Sequence, residues 1–432
     1  MGSSVDEEAT LAARRLRDLY PPSSAADAAV AADADLSTAQ LAIRDHARNF
    51  AINNYSTRAR EWDASGSALP RDELARIAGV DLLGLTLPPS VGGLGWPLLD
   101  GLIALEEVAK VCQLAAWPIF EACTGAARVI DLLGDEEQKR RFLPAVVRGE
   151  AVIALAISEP DAGSAATSLT TVARVEGDEL LLRGTKRWCS GAGRADYYLV
   201  YCRLSNDSEA AGVGAVVVEA EAAGLSFGAQ ERLMGFRGIG SADIHLDDVR
   251  VSKRNLIASA GSFRQLFEAF SIERLGNATM SLAIAQSALD RTSRYVLSRQ
   301  QFGRDLADFQ LVQAAVADMV MLTSAARLLV HSAARQAGTG TPSALTSSVA
   351  KCFANESAKR VSDLAIQLHG GYGYAEEYEL ERLHRDAHGW AIAGGTANMQ
   401  RIRIASAYLG RRFDQRQQAS GTLATPGTGG NR

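Results

Sequence analysis

The chain has 432 residues, 47% of them hydrophobic and 22% charged, so it can bury a large core and is not a disordered polymer. Lys plus Arg number 45 against 50 for Asp plus Glu, a formal net charge of −5. That balance lacks the cationic surplus that covers nucleic-acid phosphates, leaving only local basic pockets, and at roughly 150 residues per domain the length allows about three domains.

Residues 1–35 are Ala-rich, contain Pro21-Pro22, and read as an N-terminal extension, either an appended helix or a mobile arm. The first ten residues are acidic and carry no apolar h-region, and Asp6 stands where a myristoylation signal needs Ser or Thr. No run approaches the ~18 apolar residues that span a bilayer, so the expectation is a cytoplasmic protein with no membrane partner. Residues 36–150 show helical spacing, as in Leu102, Leu105, Val108 and Ala109, then Ala126, Val129, Ile130 and Leu133. Pro88-Pro89 and Gly92-Gly93 interrupt that pattern with a turn-rich loop.

From 151 to 260 the period changes to two. β-rich runs at 151–157, 170–175, 179–183, 197–201, 213–219 and 242–246 are separated by Gly-containing turns, which predicts an antiparallel sheet or small barrel. From 261 to 412 helical periodicity returns over 271–297, 309–336 and 343–368, which predicts a helical bundle. Residues 413–432 are polar and Gly-rich, a disordered tail. The fold class is therefore α+β and multidomain: helical, then β, then helical. The five cysteines are scattered without a CxxC, and their odd number argues for reduced, buried thiols.

No GxxxxGK[ST], GxGxxG or GxSxG occurs, which removes the P-loop, the dinucleotide fingerprint and the hydrolase elbow. His384 and His388 stand at i, i+4 without a third ligand, so no metal site is read there. The Gly and aromatic clusters carry more. Ser158-Glu-Pro-Asp-Ala-Gly163-Ser164 and Gly184-Thr-Lys-Arg-Trp188-Cys-Ser190-Gly191 end strands, while Gly370-Gly371-Tyr-Gly373-Tyr374 and Gly394-Gly395-Thr396 interrupt helices.

With Gly134 to Pro144, Met234-Gly-Phe-Arg237-Gly238, Arg299-Gln-Gln301-Phe302-Gly303, Phe309-Gln310, Gln367-Leu-His-Gly370-Gly371 and Arg385-Asp386-Ala387, these blocks in this order resemble the acyl-CoA dehydrogenase family. The resemblance runs from about residue 40 to 411. It departs at Ala165, where the family usually has Asp. It implies a helical domain, a middle β-barrel or antiparallel sheet domain and a C-terminal four-helix bundle, with FAD as cofactor. By resemblance Ile157, Ser158, Trp188 and Ser190 surround the flavin ring. Arg299, Gln301, Phe302, Gln310, Gln367, Gly370 and Gly371 would reach the FAD of a neighbouring subunit, and Thr396 and Asn398 its phosphate or adenosine side. Ser164, Arg274, Gly394 and Gly395 would face the substrate, an acyl-CoA or acyl-carrier-protein thioester.

The reaction implied is α,β-dehydrogenation, which needs a carboxylate screened from water. Many members place a Glu immediately before Gly-Thr in the last block, where this chain has Gly394. Members resembling the isovaleryl- and long-chain-type enzymes instead carry a Glu-Arg pair on a helix, and Ser271-Ile-Glu273-Arg274 matches it. Glu273 is thus the expected base and Arg274 its electrostatic partner. The plainer alternative puts Glu273 in a first helical turn behind Ser271, where the helix dipole favours a carboxylate. Gly394 and Ala393 leave room for a branched or bulky acyl chain. The implied partners are an electron-transfer flavoprotein or another acceptor, in a homotetramer or homodimer, with a heteromer open. An oxidase or monooxygenase on the same scaffold, or a subunit that needs an active homologue, are the competing functions.

Overall fold

The computed structural model describes residues 36–206, 209–411 and 413, so the reading of an N-terminal extension, and all but the first residue of the tail read at 413–432, lie outside the described residues. The chain opens with α1 (Thr38–Tyr55), which Ser37 and Gln40 start in a reciprocal capping box. Helices α2 (Arg58–Ser65), α3 (Arg71–Ala78), α4 (Leu98–Val111), α5 (Gln113–Cys123), α6 (Ala126–Leu133) and α7 (Glu136–Val147) follow. Helices α4 and α5 are buried on every side, which is why their sequence is apolar almost throughout rather than striped. The Gly134–Pro144 block contains the second capping box, Asp135 with Gln138, at the start of α7.

The strands are β1 (Ile153–Ala156), β2 (Val172–Glu176), β3 (Glu179–Ser190), β4 (Tyr197–Asn206), β5 (Glu209–Glu219), β6 (Leu225–Phe227), β7 (Ser241–Ser252) and β8 (Leu256–Ala258). They form one sheet in the order β6-β7-β3-β2-β4-β5-β8, with β1 added on β4. This corrects the expected geometry. The sheet is an open path with no closed barrel, and it is mixed, because β1 and β2 both run parallel to β4. Alternation of apolar and polar residues reports which face is buried and carries no record of strand direction. The β3–β7 ladder slips between Lys186 and Cys189, leaving Arg187 and Trp188 out of register, and Trp188 takes φ +60°.

The C-terminal part is a bundle of α8 (Phe263–Ser298), α9 (Gln310–Ala337), α10 (Ala344–His369), α12 (Leu380–Ile392) and α13 (Ala397–Tyr408), with a single turn α11 (Gly371–Tyr374) between α10 and α12. Helix α8 begins at Phe263, well before Ser271, so Glu273 stands in its interior and the first-turn explanation for that carboxylate fails. Residues 269–289 of α8 are buried all round, enclosed by α4, α6, α10 and α12. Gly276 is required there, because a Cβ would stand 2.2 Å from Thr124 Oγ1. Helix α9 is long and apolar enough, by length and composition, to cross a bilayer, and it packs against α8 and α10. All five cysteines are free and buried.

Two motif blocks that are far apart in sequence meet at the seam between sheet and bundle. Phe236 N donates to Asp386 Oδ1 at 2.9 Å, and Arg385 donates to the Met234 carbonyl at 3.0 Å. A Cβ on Gly235 would stand 2.6 Å from Asp386 Oδ1, so only glycine permits this approach.

Within the sheet, Lys186 is fully buried and donates to Glu159 Oε1 at 2.8 Å and to the Ile157 carbonyl at 2.9 Å. Glu159 also accepts from Thr170 and Thr171, so this pair ties the 157–171 loop to β3. Removing one partner of a buried pair strands the other charge. Lys186→Met is expected to lower stability by about 3–5 kcal/mol in a urea melt. The double variant with Glu159→Gln should recover part of that loss.

Candidate active site

The centre of the site is Glu273. It is 8% exposed, its Oε2 has no hydrogen-bond partner, and it faces the turn after α12. Gly394 in that turn has φ +66°, and a Cβ built on it would stand 2.8 Å from both carboxylate oxygens. The Glu273 carboxyl therefore occupies the volume that a side chain at 394 would need.

The turn is held by buried amides and a cation. Asn277 donates to the Ala393 carbonyl at 3.2 Å, while Lys351 and Gln400 donate to the Gly395 carbonyl at 3.1 and 2.9 Å. Lys351 also donates to Asn355 Oδ1 at 3.0 Å, and Asn355 donates to Asn277 Oδ1 and to Ser281. Four side chains from α8, α10 and α13 thus fix the backbone opposite Glu273. The N–H groups of Gly394 and Gly395 donate to no group among the described residues.

Burial pushes the Glu273 carboxyl up to about 7, against the opposing pull of Lys351 and Arg274. Burial pushes Lys351 down, with the Glu273 charge resisting. Arg274 is also lowered, first by burial and then by the nearby Arg403. A second buried carboxyl, Glu121 on α5, is raised by burial to about 8 with a smaller contribution from Glu273.

The expected cofactor residues fall into separate groups. At one end of β1 and β3, Arg187 N donates to the Ser158 carbonyl at 2.8 Å and Lys186 holds the Ile157 carbonyl, so Ile157 and Ser158 lie beside Trp188 and Ser190. Trp188 is 53% exposed with the Arg187 guanidinium 4.3 Å from its ring centroid. The hydroxyls of Ser158 and Ser190 have no partner among the described residues. An open indole wall with two free hydroxyl donors fits a planar, hydrogen-bonding ring such as isoalloxazine.

The second group lies on the bundle. Gln301 and Phe302 form the tip of a small hairpin, Phe302 is 93% exposed at φ +54°, and Gln310 opens α9. Arg299 lies 5.3 Å from the Tyr372 ring centroid, beside exposed Gln367, Gly370 and Gly371. No hydrogen bond or ring contact among the described residues joins this group to the first. Thr396 caps α13 by accepting from Met399 N, and Asn398 accepts from Arg401. Ser164 is exposed on the 159–168 loop, away from any contact with Glu273.

Sequence reasoning missed Lys351, Glu121, Tyr201 and Arg403. Lys351 was visible only as a cation on an otherwise apolar helical stripe, and nothing local tied any of the four to Glu273. His384 meets Ser362 and stacks edge-on with His388, and no cluster suited to a metal exists among the described residues.

Comparison with known proteins gives the family. Residues 37–150, 154–249 and 263–409 match the acyl-CoA dehydrogenase N-terminal, middle and C-terminal domains. The 3-sulfinopropanoyl-CoA desulfinase of Paraburkholderia xenovorans is 36% identical over 392 residues, covering 89% of this chain and all of that one. The caffeyl-CoA reductase-Etf complex subunit CarC of Acetobacterium woodii is 33% identical, covering 85% and 97%. The structure of butyryl-CoA dehydrogenase from Megasphaera elsdenii superposes with a TM-score of 0.83 at 30% identity, covering 87% and 100%. The chain belongs to the acyl-CoA dehydrogenase family and is a flavoenzyme whose cofactor is FAD.

Because Gly394 and Glu273 compete for one volume, Gly394→Ala should lose more stability than its strained φ alone explains. In a double-mutant cycle with Glu273→Gly, the two substitutions should show a coupling of at least about 1 kcal/mol by denaturant unfolding. Additive effects would separate the two groups.

Proposed function

We propose that the protein catalyses α,β-dehydrogenation of an acyl thioester, with Glu273 removing the α-proton. The single observation that supports this most is the Glu273 carboxylate lodged against Gly394 with one oxygen unpartnered. A base must reach its proton with a free lone pair, and this is the buried carboxylate that offers one to the turn. When bound, FAD would supply the hydride acceptor. Ser158, Trp188 and Ser190 would hold its ring. The free N–H groups of Gly394 and Gly395 can donate to the thioester carbonyl oxygen, where charge develops as the α-proton leaves. Arg274 and Lys351 keep a useful fraction of Glu273 ionised despite its burial, so it can act near neutral pH.

The separation of the cofactor residues into two groups supports an assembly in which the hairpin of one copy reaches the FAD of another. The same residues can run the reaction backwards, with protonated Glu273 delivering a proton to the α-carbon. The relative named as a caffeyl-CoA reductase–Etf complex subunit favours keeping that direction open, and it supports an electron-transfer flavoprotein as the redox partner.

Glu273→Gln keeps the size and removes the base. It should retain bound FAD while anaerobic flavin bleaching by a reactive acyl-CoA slows by about 10³-fold; near-normal bleaching refutes the assignment. In the wild type, kcat/KM should rise with pH and level off above about 7, because the ionised carboxylate is the active form and burial has raised its pKa. Lys351→Met removes a cation that pulls that pKa down, so the limb should move to higher pH, whereas Lys351→Arg should move it less.

A further inference from the structure

Helix α8 carries Phe267 and Phe270 with ring centroids 5.9 Å apart. The Arg274 guanidinium lies 5.1 Å from the Phe270 centroid, and the Arg403 guanidinium, from α13, lies 5.9 Å from the Phe267 centroid. Two cations therefore rest on consecutive rings of one helix. Neither has a carboxylate within ion-pair distance among the described residues. Arg274 is 1% exposed, makes one hydrogen bond, to Ser271 Oγ at 3.0 Å, and leaves its Nε buried without a partner. Arg403 makes no hydrogen bond among the described residues. Tyr201 on β4 is 0% exposed, its hydroxyl has no partner, and it senses the charges of both Glu273 and Arg274.

A buried guanidinium without a counter-charge is costly, and a buried hydroxyl without a partner adds to the cost. Arginine offers donors only and matches a two-oxygen anion in a planar fork. Lys351 and Arg274 stand near one carboxylate, Glu273, which becomes neutral when it takes a proton, while Arg403 adds a further positive charge beside Arg274. A second anion would correct the imbalance.

We propose that Arg274, Arg403 and Tyr201 form a subsite for the carboxylate at the far end of an acyl chain, so that the preferred substrate is the monothioester of a dicarboxylic acid. This rests on the reading that the thioester binds against Glu273. An uncharged tail would leave the three donors without acceptors, and the carrier's phosphates offer the same anion chemistry from the other end of the molecule.

The FAD-loaded enzyme titrated anaerobically, with flavin absorbance as the signal, distinguishes these. Succinyl- and glutaryl-CoA are compared with 4-methylpentanoyl- and 5-methylhexanoyl-CoA, in which a branched methyl pair replaces the carboxylate. One of the charged thioesters should bind about tenfold to a hundredfold tighter than its isostere, the range for hydrogen bonds to charged groups. Arg403→Leu should collapse that ratio towards one, and Arg403→Lys should keep part of it. Equal affinity for charged and uncharged members in the wild type overturns the subsite. Equal weakening of both by Arg403→Leu assigns the anion to the carrier and overturns it as well. A flavin that responds to no thioester at all overturns the dehydrogenase reading along with this one.

Discussion

A carboxylate is held out of water in the interior of a 36-residue helix, and the surroundings are organised by that demand. Burial favours the neutral acid, so the group is useful as a base near neutral pH only if cations stand close without capturing it. Lys351 and Arg274 meet that requirement. Neither forms a hydrogen-bonded ion pair with Glu273, so its Oε2 stays free. Lys351 spends its hydrogen bonds on Asn355, the Trp390 carbonyl of α12 and the Gly395 carbonyl of the turn instead. The same ammonium thus fixes the backbone opposite the Glu273 carboxyl and pulls its pKa down.

That arrangement explains why the seams between the three parts are polar and tight. Helix α8 passes between the N-terminal helices and the bundle, and Gly276 lets it approach Thr124 closely enough to exclude water. The Phe236–Asp386 and Met234–Arg385 contacts fasten the sheet to α12, whose C-terminal turn bears Gly394. Lys186 and Glu159 do the equivalent work inside the sheet, fixing the loop that presents Ser158 beside Trp188. Each fastening is a polar contact with specific geometry, so an error in one shifts the residues of the candidate site rather than merely loosening a core.

The exposed features have their own logic. Phe302, at the tip of its hairpin, and Trp188, at the end of β3, are large rings left open to solvent in a single copy. Ring surface of that size is normally covered by a ligand or a partner. They lie in separate parts of one chain, whereas Glu273 and the cations that act on it, Lys351 and Arg274, come together within it.

The sequence by itself determined the helical–β–helical order and the family, because hydrophobic period and ordered motif blocks are local records. It also singled out Glu273 by pairing a Glu-Arg dipeptide with the vacancy at Gly394. It did not decide strand direction, since alternation is the same for parallel and antiparallel neighbours, and the sheet proved mixed and open. Only the tertiary structure decided that Glu273 lies deep inside α8, because helix starts depend on packing as much as on caps, and Phe263 to Phe270 extend the helix before Ser271. Of the two cations that act on Glu273, Arg274 is its neighbour in sequence but Lys351 comes from α10, 78 positions further along the chain. Electrostatic and steric coupling depends on distance in space, and that distance exists only once the chain has folded.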